Sequence, residues 1–286
     1  MKNFIFLINF AFIICLSSCK KDDNNVAVEA SVTNLNVAYG ADAKQVMDIY
    51  LPAGRTTATT KIMVMIHGGG WSEGDKSDFT TYVDTVKRRL PDYAIFNINY
   101  RLSNTNIGTN LFPTHEEDVR AALNFIKENS SKFFIGDKYV LLGASAGAYL
   151  AMLQAYKYNS PSVRVVVNFF GPSNMVDMYN NPASPFAPPT SIALLLSGTP
   201  SSNPSLYFNS SPINYISAQS AATISFQGGQ DFLIRPQQQE ALHSKLQANG
   251  IVNRYVLYPT EGHGWSGARL SDSFDQMEIF INDVLP

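Results

Sequence analysis

Gly143-Ala144-Ser145-Ala146-Gly147 sets a serine midway between two glycines, where an apolar run gives way to a helix-forming one. A serine in so tight a turn at a strand end has strained backbone angles and an exposed hydroxyl, and the flanking glycines let strand and helix approach without side-chain collision. The following helix directs its positive dipole end at an oxygen on which charge develops. Those features suit a nucleophile in acyl transfer; a Gly/Ala-rich turn, packed closely for structural reasons, is the other reading of the same five residues. A second glycine segment, His67-Gly68-Gly69-Gly70-Trp71, directly follows the apolar run 61–66. Backbone N–H groups in such a loop can hold a tetrahedral oxyanion with no side chain in the way, and losing one such donor costs on the order of 10²–10³ in rate. The donors this reading selects are the N–H groups of Gly69, Gly70 and, beyond the serine, Ala146. Three glycines alone make a flexible turn; after a buried strand and upstream of Ser145 they read as an anion loop.

Strands and helices must alternate to position these residues, and residues 30–286 read that way. Residues 46–51 are a short extended run, 61–66 a buried strand, and 93–100 a strand alternating with period two. One helix is predicted over 79–90, stopped by Pro91, and another over 113–129. Thr114 is its expected cap, with Glu116, Glu117 and Asp118 in a first turn that favours negative charge, and Val119, Leu123 and Ile126 as its apolar stripe. Strands follow at 139–142 and 163–170, with a helix after Ser145 between them. From 171 to 220 the pattern breaks into Pro, Ser and Asn around an apolar island at 192–196. So long an irregular stretch inside a compact domain is read as an insertion over the active site. Regularity returns with a strand at 223–226, a helix at 237–248, a strand at 254–258 and a closing helix at 271–284. This order predicts an α/β fold: a mostly parallel central sheet with helices on both faces and a short, loop-rich cap.

Together, HGGGW and GASAG resemble the esterase and lipase branch of the α/β-hydrolases, and within it the small bacterial carboxylesterases that include feruloyl and acetyl esterases of plant polysaccharide. The resemblance runs over residues 44–284. It implies an α/β-hydrolase fold and the chain order Ser, Asp or Glu, His, with the acid after a late strand and the histidine in the last loop. Asp231, in Gly228-Gly229-Gln230-Asp231, and His263, in Glu261-Gly262-His263-Gly264-Trp265, stand at those positions. Of the four histidines, His67 belongs to the anion loop, while His115 and His243 fall on predicted helices in solvated or partly buried roles. Asp177, after the preceding strand, stays open as a rival to Asp231; Asp272 and Asp275 read as the solvated start of the last helix. Gln227 stands where many relatives carry His or a small residue, with no consequence expected for the chemistry.

The activity so implied is ester hydrolysis through an acyl-enzyme on Ser145, with His263 as general base, Asp231 orienting it, and neither cofactor nor metal. Expected substrates are short-acyl or aryl esters, including acetyl or feruloyl groups of polysaccharide. Trp71 and Trp265, with Phe186, Tyr207 and Phe208 of the insertion, could line the pocket or serve ordinary packing. The alternatives are a serine peptidase of the same fold and an inactive, surface-tethered glycan-binding lipoprotein.

Charge adds an exclusion. With 21 basic against 23 acidic side chains, the net charge of −2 leaves no basic footprint for a phosphate backbone, so nucleic acid is not an expected partner. At the N-terminus, Lys2 precedes an apolar stretch at 4–16 too short to span a bilayer comfortably, followed by Leu16-Ser17-Ser18-Cys19. That tetrapeptide resembles a bacterial lipobox, which implies cleavage before Cys19 and lipidation of its thiol; an ordinary secretory peptide cut near Ser18 is the other reading. Cys15 and Cys19 are the only two cysteines, so after such cleavage Cys19 has no partner thiol in the chain. The expected organisation is a signal at 1–18, a polar tether at 19–30 and one domain at 31–286, with 171–220 as a cap-like insertion. The chain is expected to be exported and held at the outer membrane by a lipid anchor, facing the periplasm or the cell surface.

Overall fold

The computed structural model describes residues 29–158 and 160–286. The expected signal segment, Cys19 and the tether up to residue 28 lie outside the described residues. The first half comprises β1 (Val32–Ala38), β2 (Val46–Leu51), β3 (Lys61–Ile66), α1 (Thr80–Arg89), β4 (Tyr93–Ile98), α2 (Thr114–Glu128), α3 (Ser130–Phe133) and β5 (Tyr139–Ala144). Then come α4 (Ala146–Lys157), β6 (Val163–Phe169), α5 (Met175–Asn180), α6 (Pro189–Leu195), α7 (Pro204–Asn209), β7 (Ala222–Gly228), α8 (Pro236–Ala248), β8 (Asn253–Tyr258) and α9 (Gly267–Val284). The eight strands form one sheet in the order β1-β2-β4-β3-β5-β6-β7-β8. β1 and β2 pair antiparallel, as do β2 and β4, and every pairing from β4 through β8 is parallel. This is the mostly parallel α/β-hydrolase sheet expected from the sequence.

Alternate residues of a strand face opposite sides, and here both sides are covered. Ile62, Val64 and Ile66 of β3 join a core with Val119, Leu123 and Ile126 of α2, Tyr149 and Leu153 of α4, and Leu242 and Leu246 of α8. Met63 and Met65 point the other way, into a core with Val83 and Val86 of α1 and Phe274, Met277 and Ile281 of α9. Helix α4 is apolar all round and buried from Ala146 to Tyr156, as befits a helix enclosed on every side.

Several local expectations change. β4 buries all six of its residues, Asn97 included, because strands flank it on both edges and helices cover both faces. β1 is a polar, largely exposed edge strand that the hydrophobic pattern does not single out. Thr114 is the first residue of α2 rather than its cap, and Pro113 before it makes no side-chain cap bond. Two acids of that turn are buried and paired, Glu116 with Lys157 at 2.8 Å and Asp118 with Arg101 at 2.5 Å, while Glu117 is exposed. Helix α9 begins at Gly267, so Asp272 sits inside it and accepts the Tyr258 hydroxyl at 2.6 Å. The irregular stretch after β6 folds into α5, α6 and α7, and buries Met175, Ile192, Leu195, Leu196 and Tyr207 in the core shared with α2 and α4. It packs beside α4.

Candidate active site

Parallel strands deliver the ends of β3, β5, β6, β7 and β8 to one edge of the sheet, where the selected residues stand. Ser145 occupies the turn between β5 and α4 with φ 53° and ψ −118°, a left-handed conformation strained for a side chain with a Cβ. Its N–H donates to the Phe169 carbonyl at 2.8 Å, and its carbonyl accepts from Tyr149 at 3.0 Å. Gly147 explains why the turn can be so tight: a Cβ there would overlap the carbonyl oxygens of Ile66 and His67. The helix therefore rests directly on the end of β3.

His263 lies in the loop after β8, its Nε2 3.0 Å from Ser145 Oγ and its Nδ1 2.8 Å from Asp231 Oδ2. Asp231 is held from both sides. Oδ1 accepts the N–H groups of Leu233 (2.8 Å) and Ile234 (2.9 Å), and Oδ2 also accepts Gln227 Nε2 at 3.0 Å. Gln227, read from the sequence as without consequence for the chemistry, lies against this carboxylate, and its amide also donates to the carbonyls of Gly228 and Ile234. Asp177, the rival carboxylate, is engaged elsewhere, accepting from Gln238 and Asn181 at 2.7 Å each.

The glycine loop approaches from β3. Gly69 has φ 101°, and a Cβ there would collide with the Glu73 carbonyl; Ser72 and Glu73 donate back to the Gly69 oxygen at 3.1 and 2.9 Å. Among the described residues the N–H groups of Gly69 and Gly70 meet no protein acceptor, and Ala146, as first residue of α4, has no intrahelical one. Beneath the loop, Tyr100 stacks on His67 with centroids 4.3 Å apart, and its hydroxyl donates to the His67 and Gly68 carbonyls at 3.0 and 3.1 Å. Burial lowers the His67 imidazole from its ordinary value. His115, read as solvated or partly buried, is fully enclosed against Ser103 at 2.9 Å, and burial pushes its imidazole down to about 4.

An open cavity at Ser145 is walled by Gly68, Gly69, Gly70, Phe170, Leu233 and His263, with Glu73 at its rim. No residue of 171–220 lines this cavity; Met175, Ile192, Leu195, Leu196 and Tyr207 of that stretch belong to the core that α2 and α4 share, while Phe186 packs on Phe232, next to the cavity wall at Leu233. Trp71 is likewise no wall of this cavity. With φ 63° its ring turns into the core and meets Tyr149 edge-on at 5.3 Å. Tyr207 is buried, Phe208 packs on Tyr215, and Phe186 packs on Phe232. Phe170, which no motif signals, is the wall beside the imidazole: its φ is 45° and its ring lies 4.6 Å from that of His263. Trp265 packs against Phe170 at 5.4 Å with its indole N–H bound to Ser273 at 2.8 Å.

A nucleophile, base and acid in hydrogen-bonded series beside free backbone donors can carry out acyl transfer. A family model described as BD-FAE matches residues 47–246. The chain is 24% identical to Esterase LipC of Mycobacterium tuberculosis over 87% of its own length and 64% of that relative. It is 23% identical to Dipeptidyl aminopeptidase BIII of Pseudoxanthomonas mexicana over 81% of its own length and 34% of that protein. It thus spans less than two thirds of the length of these relatives. Among solved structures, a truncated carbohydrate esterase from gut microbiota superposes with a TM-score of 0.72 at 22% identity, covering 90% of this chain and 96% of the other. That likeness supports the fold.

Proposed function

The chain belongs to the BD-FAE family, and from that membership and the geometry at Ser145 we propose that it is a serine carboxylic ester hydrolase. The observation that carries this reading is the unbroken series Ser145 Oγ, His263, Asp231, with contacts of 3.0 and 2.8 Å. Ser145 Oγ attacks the ester carbonyl as His263 Nε2 takes its proton, and Asp231 holds the Nδ1–H and stabilises the imidazolium. The oxyanion accepts from the N–H groups of Gly69, Gly70 and Ala146. The imidazolium then protonates the departing alcohol, leaving the acyl group on Ser145. Water, deprotonated by His263, repeats the attack and releases the acid. Substrates are short-acyl or aryl esters, with acetyl or feruloyl groups of polysaccharide as candidates that the carbohydrate esterase likeness supports. An N-terminal lipid on Cys19 anchors the enzyme at the outer membrane. Likeness to an aminopeptidase favours peptide hydrolysis as the second reading.

One experiment addresses these points: fluorophosphonate labelling of the purified chain and of cell fractions, with hydrolysis of nitrophenyl acetate, methyl ferulate, acetylated xylan and a dipeptide anilide. Label is expected on Ser145, in the membrane fraction unless Cys19→Ala is introduced, with ester turnover falling by roughly 10⁴-fold or more in Ser145→Ala. An unlabelled serine would overturn the nucleophile. Turnover of the anilide alone would favour the peptidase, and label in the soluble fraction of cells carrying the native Cys19 would remove the anchor.

A further inference from the structure

Glu73 is the one anionic side chain among the described residues that line the cavity at Ser145. Its place is set by the glycine loop: its N–H donates to the Gly69 carbonyl at 2.9 Å, and its own carbonyl leaves no room for a Cβ at Gly69. The residue is exposed, and the charged groups around it are occupied with one another. Lys76, in the turn that follows, is buried against Asp48 at 2.9 Å, and Lys44 lies 3.8 Å from Asp75. Glu261, the acid at the head of the His263 loop, is met by Arg269 at 3.9 Å. Glu73 has no such partner among the described residues, so its charge acts on whatever enters the cavity. The rest of that wall favours anions, through the N–H groups of Gly69 and Gly70 and the start of α4, or is indifferent to charge. An ester is neutral at its reacting carbonyl, but its acyl or alcohol part can carry a charge, and hydrolysis always leaves a carboxylate. Two full charges roughly 6–8 Å apart in water change an equilibrium about threefold, and more where the wall displaces solvent.

We propose that Glu73 selects the ester by charge, turning away those that carry a carboxylate and drawing in those that carry an ammonium group. Phe170, on the same wall, adds an aromatic surface of the kind that attracts such cations. The proposal rests on the serine-hydrolase reading for the bond that is cut, and on the cavity wall for the charge preference. Two pairs of esters of matched shape test it: nitrophenyl hemisuccinate against nitrophenyl butyrate, and acetylcholine against dimethylbutyl acetate. In Glu73→Gln, kcat/KM for the hemisuccinate should rise about 3- to 10-fold relative to the butyrate. That for acetylcholine should fall by a similar factor relative to its neutral counterpart. Glu73→Lys should reverse both preferences, and salt at about 0.5 M should flatten them in the native chain, because the carboxylate is exposed. Ratios that move by less than about twofold in both variants would overturn the selector and leave Glu73 a residue of the turn alone. Independently of turnover, butyrate should bind Ser145→Ala about threefold or more tightly in a calorimetric titration once Glu73→Gln is added. Equal binding, or none in either protein, would likewise overturn it. If the native chain hydrolyses no ester, the functional reading fails while the butyrate titration still decides this one.

Discussion

The two halves of the site are made of different material. In the proposed mechanism the working groups on the β7 and β8 side are side chains, Asp231 and His263, each fixed by bonds from its neighbours. On the β3 and β5 side, apart from the Ser145 hydroxyl, they are backbone N–H groups, and side chains serve only to hold the peptide in place. A side-chain group can be removed by one substitution at the atom that reacts. A backbone donor can be disturbed only through what supports it, here the glycines that permit the path and the Tyr100 hydroxyl that tethers two carbonyls. The first half should therefore fail abruptly on substitution and the second by degrees.

The sharpest break is Asp231→Asn. An amide can still accept the Leu233 and Ile234 N–H groups, but it presents the wrong partner to His263, so kcat/KM for an ester should fall roughly 10⁴-fold with the fold retained. A loss below tenfold would show that the carboxylate is not what orients the imidazole. On the backbone side, Tyr100→Phe keeps the ring on His67 and removes both hydroxyl contacts. We expect kcat to fall about 10-fold with KM little changed, since an oxyanion loop acts on the transition state. A rise in KM alone would assign the hydroxyl to substrate binding and erase the contrast. The smallest effect concerns the buried His115 under this half. Its folded pKa of about 4 lies below the ordinary 6.5, so the unfolded chain binds the additional proton. Stability from this group is complete above the ordinary value and declines as pH falls towards 4, by about 1 kcal/mol between pH 7 and 5.5. Urea midpoints at the two pH values should show that loss in the native chain and a smaller one in His115→Asn; equal losses would clear His115.

The same contrast explains what could be read from the sequence. The backbone half announces itself through composition, because close approach admits only glycine at Gly147 and a left-handed turn favours it at Gly69. The parallel sheet was legible for a similar reason: buried strands such as β3 carry unbroken apolar runs. Loop position and the chain order implied by the resemblance favour Asp231 over Asp177, but how the β7 loop curls around Gln227 and the Ile234 N–H to bring it to His263 is not written in the sequence. Phe170, Leu233 and the burial of His115 were hidden because each depends on neighbours far away in the chain. The stretch after β6 hides its short helices behind its composition. Its polar residues cap and join short helices, while a few apolar ones, Met175 and Tyr207 among them, tie it to α4.

The direction of β1 has one further consequence. Two successive antiparallel pairings turn β1 to run with the rest of the sheet, so it starts at the rim opposite Ser145, where Val32 faces Leu51. Arg55 secures that entry point, bonding the Ala30 carbonyl and meeting Glu29 at 3.1 Å. Any leash joined ahead of residue 29 pulls from the molecule's back. Moored to a membrane in this way, the protein would turn its reactive rim outward, towards bulky or polymeric esters that cannot reach the lipid surface.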